Sequence, residues 1–196
     1  MGLKPVFDTG SAAVDGDSDA VLRSRSDPEC FAAIFDRYFT ALHNYAARRL
    51  GRAGADDVAA EAFLVAFRQR ASFDPRRGSV RSWLYGIATN LIREHCRDEE
   101  RRYRAHSRAA AEPNSVEDTD RVDARIAASS ARDRLVAALA GLSPEDRDTL
   151  LLVVWAGLSH QETSGALGVP VGTVGSRLHR VRRQLRAALD DADPIA

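Results

Sequence analysis

Residues 159–189, SHQETSGALGVPVGTVGSRLHRVRRQLRAAL, constrain the fold more than any other stretch, because they admit little besides two helices meeting at a tight corner. Ser159 and Glu162 have the spacing of a capping box, in which each side chain satisfies a backbone N–H at the helix start. The helix they open has to stop near Gly168, which accepts the left-handed conformation, and Pro170, which cannot extend a hydrogen-bonded ladder. A second helix then begins near Val171, and Val174, Leu178, Val181, Leu185 and Leu189 recur on one face of it. The other face carries Arg177, Arg180, Arg182, Arg183 and Arg186, with no acid between Val171 and Leu189. Such a pair is a helix-turn-helix, whose second helix fits the major groove of DNA. An amphipathic hairpin with a solvated basic face has the same spacing, although its like charges repel until phosphates neutralise them.

The whole chain has 196 residues, room for one ordinary domain or two small ones, and 44% of them are hydrophobic, enough to bury cores. The 28 basic and 28 acidic residues cancel, which argues against a nucleic-acid partner only if charge is evenly spread. It is not. Arginines gather on particular helical segments and acids in the amino-terminal tail and the middle, and local fields steer binding. Cys30 and Cys96 lie far apart, as thiols of a reduced protein do, and form neither a disulfide nor a metal-ligand pattern. No apolar run is long enough to enter a membrane and no signal peptide is visible, so a cytoplasmic location is expected. Walker loops, dinucleotide fingerprints, zinc spacings and nucleophile elbows are missing, and the five histidines are scattered. The expectation is a protein without catalytic residues, metal or cofactor.

Residues 1–26 lack apolar periodicity and read as a disordered tail. Asp27 and Pro28 make a cap and first-turn pair. The helix they open carries Phe31, Ile34, Phe35, Tyr38, Leu42 and Tyr45, and Gly51 and Gly54 break it. A further helix, ADDVAAEAFLVAFRQR, begins with Asp56 and Asp57, whose charge complements its dipole. Phe63 and Phe67 lie beside Asp56 and Glu61 and read as an exposed partner-binding patch. A turn then holds Arg76 and Arg77. It precedes a helix, capped by Ser79 or Ser82, with Leu84, Ile87, Ala88, Leu91 and His95 on one side and Asn90, Arg93, Arg97, Arg101 and Arg104 on the other. Trp83 stands at the head of the arginine stripe, an aromatic beside cations of the kind that holds unpaired DNA. A solvated face, with Asp98, Glu99 and Glu100 pairing those arginines, fits the spacing too. Residues 105–130 turn to Ala, Ser, Asp and Glu and read as an acidic linker. Ser143 and Pro144 open another helix before the corner at 159–189.

Two motif sets in this order resemble the extracytoplasmic-function (ECF) group of the sigma-70 family of RNA polymerase sigma factors. GLSHQETSGALGVPVGTVGSRLHRVRRQL is similar to that family's fourth domain. ADDVAAEAFLVAF, and WLYGIATNLIREHCR with its Trp83, Asn90, Arg93 and Arg97, are similar to its second. The resemblance implies an all-α chain of two small helical domains, at 27–104 and 131–190, joined by the flexible linker and followed by an acidic tail at 191–196. It implies core polymerase binding through Asp56, Asp57, Glu61, Phe63 and Phe67, and minus-ten recognition and melting through Arg76, Arg77, Trp83, Asn90, Arg93 and Arg97. Minus-thirty-five recognition falls to Val171, Thr173, Ser176, Arg177 and Arg180. Core RNA polymerase, double-stranded and melted promoter DNA, an anti-sigma factor as partner, and a linker threaded through the polymerase cleft all come from the same resemblance. The chain departs from the pattern at Ala60 (usually Gln), at Thr163 and Ser164 (usually Ile-Ala), and at Gly175, where a basic residue is usual. Either hydroxyl of the second pair is expected to bond back to a carbonyl of the preceding turn. A LuxR-type regulator that binds DNA without polymerase, or an antagonist that occupies polymerase without initiating, would share parts of this pattern.

Overall fold

The computed structural model describes residues 11–110 and 131–190. The acidic linker residues 111–130, the extreme amino terminus and the tail at 191–196 lie outside them. Among the described residues are seven α-helices and no strand. They are α1 (Ser11–Arg23), α2 (Ala32–Gln69), α3 (Val80–Ala110), α4 (Ala131–Ala140), α5 (Pro144–Val154), α6 (His160–Leu167) and α7 (Val171–Asp190).

Helix α1 corrects the reading of a disordered tail from residue 11 on, the part of 1–26 that lies within the described residues. Its Val21 is fully buried and Ala20 nearly so, and its buried Asp17 accepts hydrogen bonds from Arg37 and, at 2.5 Å, from the Tyr38 hydroxyl. Those partners belong to α2, so the reason for helicity is tertiary and leaves no periodic trace within the segment itself. Burial, reinforced by the bond to Asp17, pushes the Tyr38 phenol well above its ordinary value. The Asp27 cap forms as expected, over a single 3-10 turn, Pro28–Phe31.

The glycine break is a kink within α2. Gly51 adopts φ 75° and ψ 177°, a backbone state that glycine tolerates, and the helix resumes beyond it. The two limbs of α2 pack on α3 around Ile34, Leu42, Tyr45, Ala62, Leu84 and Ile92. Ser79 caps α3, its hydroxyl accepting the Ser82 N–H at 3.1 Å. The helix runs to Ala110, past the expected start of the linker at 105. In the carboxy-terminal half, α4 and α5 pack on α7 and Ser143 caps α5 by accepting the Asp146 N–H.

The two halves pack against each other through α3 and α6, and Leu151, Leu152, Ala156 and Leu158 join the same apolar core as α2 and α3.

Candidate nucleic-acid interface

The corner at 159–170 forms as its residues dictate. Ser159 Oγ accepts the Glu162 N–H, while a Glu162 carboxylate oxygen accepts the Ser159 N–H at 2.9 Å. Gly168 closes α6 at φ 64°. Val174 and Val181 are fully buried and Leu178 nearly so, which fixes the rotation of α7 and turns its arginines outward. Val171 and Ser176 are exposed, and Thr173 and Arg177 half-buried. Arg182, Arg183 and Arg186 stand exposed in a row. Arg180 is exposed too, yet its guanidinium grips Asp146 of α5 through two hydrogen bonds, at 2.7 and 2.6 Å. That pairing holds the Asp146 carboxyl below its ordinary value.

The two unusual hydroxyls of α6 do not behave alike. Ser164 Oγ donates forward to the Val169 carbonyl at 2.6 Å, tying the helix to its turn rather than to the turn before. Thr163 is fully buried and its hydroxyl has no partner among the described residues, because it occupies the apolar contact where the family pattern has a methyl-bearing chain.

On α3, Asn90 and Arg97 are exposed. Trp83 is half-buried, its ring 5.1 Å from that of Phe73. Beside this pair opens a cavity of about 410 Å³, lined on one side by Phe73, Arg77 and Trp83 and on the other by Gly165 and Gly168. Arg77 is exposed and Arg76 is tied to Asp74 at 3.1 Å. Arg93 departs most from a free cationic stripe. Its Nε donates to Asp148 at 2.5 Å, and Arg49 donates to the other oxygen of the same carboxylate. Farther along, Arg101 pairs with Asp98 one turn before it.

A third surface lies where α2 meets the far side of α3. Asp57, Glu61, Glu94 and Asp98 rim a groove of about 530 Å³ with Leu64 and Leu91 in it. Here the expected patch needs correction. Phe63 is only 4% exposed, because Phe35 and Phe39 of the first limb of α2 close over it. Phe67 is half-buried, set edge-on to Phe31 and beneath the Arg70 guanidinium. The residue overlooked is Leu64, 41% exposed, which follows Asp57 and Glu61 at helical spacing. Asp56 faces away from the groove and pairs with His43 at 2.7 Å. His95, expected in the core, is half-buried at the groove edge and lies 3.3 Å from Glu99.

The description "Sigma-70 region 2" matches residues 34–102, and "Sigma-70, region 4" matches residues 132–185. ECF RNA polymerase sigma factor SigK of Mycobacterium ulcerans is 29% identical over 185 residues, covering 93% of this chain and 98% of the relative. ECF RNA polymerase sigma factor SigC of Mycobacterium tuberculosis is 34% identical over 142 residues, 71% of each chain. Among solved structures, CnrH in complex with the cytosolic domain of CnrY superposes with a TM-score of 0.63 at 26% identity, covering 90% of this chain and 99% of that one. No helix among the described residues is long and apolar enough to cross a membrane.

Proposed function

The chain belongs to the ECF group of sigma-70 RNA polymerase sigma factors, and on that premise we propose how its two helical halves divide the work of starting transcription. The groove of Asp57, Glu61 and Leu64 receives core polymerase: acids around an apolar floor complement a basic amphipathic surface. Asp56, Phe63 and Phe67 lie on other sides of the same helix limb, with Asp56 on His43, Phe63 against Phe35 and Phe39, and Phe67 against Phe31, and they contribute by holding that limb in place. In the open complex, Arg76, Asn90, Arg93 and Arg97 follow the phosphates of the minus-ten strand. Phe73, Arg77 and Trp83 offer the cavity between them to an extruded base. Unstacking a base costs a few kcal/mol, and stacking on an aromatic ring returns about 1–3 kcal/mol, so the phosphate contacts decide the balance.

The amino-terminal end of α7 enters the major groove at the minus-thirty-five element. Val171 and Thr173 offer methyl groups, Ser176 a hydroxyl, and Arg177 and Arg180 guanidinium donors to base edges or phosphates. The chain itself performs no bond-making; polymerase does, in the cytoplasm where both work. An anti-sigma factor is proposed as a further partner: CnrH is solved in complex with the cytosolic domain of CnrY, and the sigma factor RpoE of Bartonella quintana in complex with the anti-sigma factor NepR.

The observation that carries this reading is the left-handed turn at Gly168 followed by a helix that turns five arginines and no acid away from its buried face between Val171 and Leu189. The absence of any strand among the described residues counts against a LuxR-type regulator with an α/β input domain. Runoff transcription with core polymerase and the purified chain tests it. Specific transcripts are expected, and Arg177→Ala should reduce them by roughly 5- to 100-fold, the worth of one good base contact, with polymerase binding unchanged. Polymerase binding without specific transcripts would mark an antagonist instead.

A further inference from the structure

The residues just past the end of α1 reach into the loop that carries Phe73. Asp17 and Val21 fix α1 itself: Val21 is fully buried, and Asp17 accepts from Arg37 and Tyr38 of α2. Ser24 is fully buried as well, its N–H on the Ala20 carbonyl at 3.0 Å and its Oγ donating to the Val21 carbonyl at 2.6 Å. Arg25 therefore projects from an anchored turn.

Arg25 is an exposed residue, yet its guanidinium is committed to the protein. Nη2 donates to the Phe73 carbonyl at 2.6 Å, and Nε to the Arg70 carbonyl at 3.3 Å. The contact is reciprocal, because Arg70 Nε donates to the Ser24 carbonyl at 3.0 Å and its Nη1 to the Phe67 carbonyl at 2.7 Å. The two carbonyls that Arg25 grips bracket the 3-10 turn Arg70–Ser72, where the chain leaves helical geometry at Phe73, φ −63° and ψ 126°. The Phe73 N–H lies 3.4 Å from the Arg70 carbonyl, a long bond, and a cationic donor to both oxygens is the stronger restraint. The ring of Phe73 is 5% exposed and stands 5.1 Å from that of Trp83 beside the cavity. One side of that aromatic pair is on helix and the other on loop, and a loop holds a site less tightly than a helix unless something braces it.

We propose that Arg25 is a positioning residue for the base cavity: carried by α1, it pins the carbonyls of Arg70 and Phe73 and so holds the Phe73 ring at the spacing from Trp83 that an extruded base needs. This deepens the assignment of Phe73 and Trp83 to the minus-ten strand and rests on it. Arg25 itself touches no base.

Full-length variants assembled with core polymerase test the role. The probe is labelled fork-junction DNA with an unpaired minus-ten strand, taken from a promoter that runoff transcription identifies, with an abasic residue placed at each unpaired position in turn. For the parent, base removal at the extruded position should weaken binding by about 5- to 150-fold, the worth of one stacked base. Arg25→Ala should cut that penalty to about twofold or less, with affinity for the abasic fork and for polymerase unchanged. Arg25→Lys should behave as Arg25→Ala does, since an ammonium keeps the charge and loses the two-pronged donation. Equal weakening of intact and abasic forks would make Arg25 a phosphate contact and overturn the positioning role. A penalty as large as the parent's in either variant would overturn it too. A parent indifferent to base removal at every position would overturn the cavity's assignment to a base, and Arg25's role with it. Circular dichroism confirms that each variant is folded, and if Arg25→Ala does not fold, Arg25→Lys decides alone.

Discussion

Arg180 and Asp146 meet side-on, Nε to Oδ2 at 2.7 Å and Nη2 to Oδ1 at 2.6 Å. This uses one fork of the guanidinium and leaves the Nη1 end outward, so the arginine proposed to read DNA is held in one orientation by a carboxylate only 4% exposed. The bonds from Arg180 favour the charged form of Asp146 and hold its carboxyl below the ordinary 3.8. A carboxylate depressed in the folded state contributes stability that is complete above its ordinary value and lost as pH falls through the folded one. Urea denaturation should therefore show Asp146→Asn less stable than the parent at pH 6, with the difference shrinking below pH 3.8. A constant difference across that window would mean that the pair does not stabilise the fold.

Phe63 and Leu64 are adjacent and should behave oppositely. Phe63→Ala empties a buried aromatic site and should cost about 3–5 kcal/mol in chemical denaturation. Leu64→Ala, at an exposed position, should change stability by no more than about 0.5 kcal/mol. It should weaken binding to core polymerase by about tenfold or more in a pull-down titration, as loss of an interface anchor does.

The unpartnered Thr163 hydroxyl predicts a stabilising substitution. Thr163→Val keeps the shape and removes a buried polar group, which should raise stability by about 1 kcal/mol or more, read as a higher denaturation midpoint at constant slope.

Gly175 sits inside α7 with open space where a Cβ would lie. Gly175→Ala should stabilise the helix by up to about 1 kcal/mol. Gly175→Lys restores the usual basic residue and should in addition tighten binding to minus-thirty-five duplex, steepening its salt dependence by close to one phosphate contact.

What could be read from the chain was local. Ser159 with Glu162, Gly168 and Pro170 decide the corner within a dozen residues, and Ser143 or Ser79 mark helix starts for the same reason: caps act over three or four positions. The features that escaped are long-range. Asp17 holds α1 to residues about twenty positions on, and Asp148 meets Arg49 and Arg93 across 99 and 55 positions, separations no periodicity records. Phe63 and Leu64 differ by one helical step, and only the first limb of α2, folded back beyond the kink at Gly51, decides which of them is covered.

A footprint of one promoter bears most directly on the claim that a single chain, attached to polymerase, touches both promoter elements. With polymerase and the chain together, hydroxyl-radical protection at the minus-thirty-five element should appear alongside permanganate-reactive thymines at the minus-ten element, and Arg177→Ala should erase the first. Protection of the same strength by the chain alone, with no melting when polymerase is added, would contradict the account.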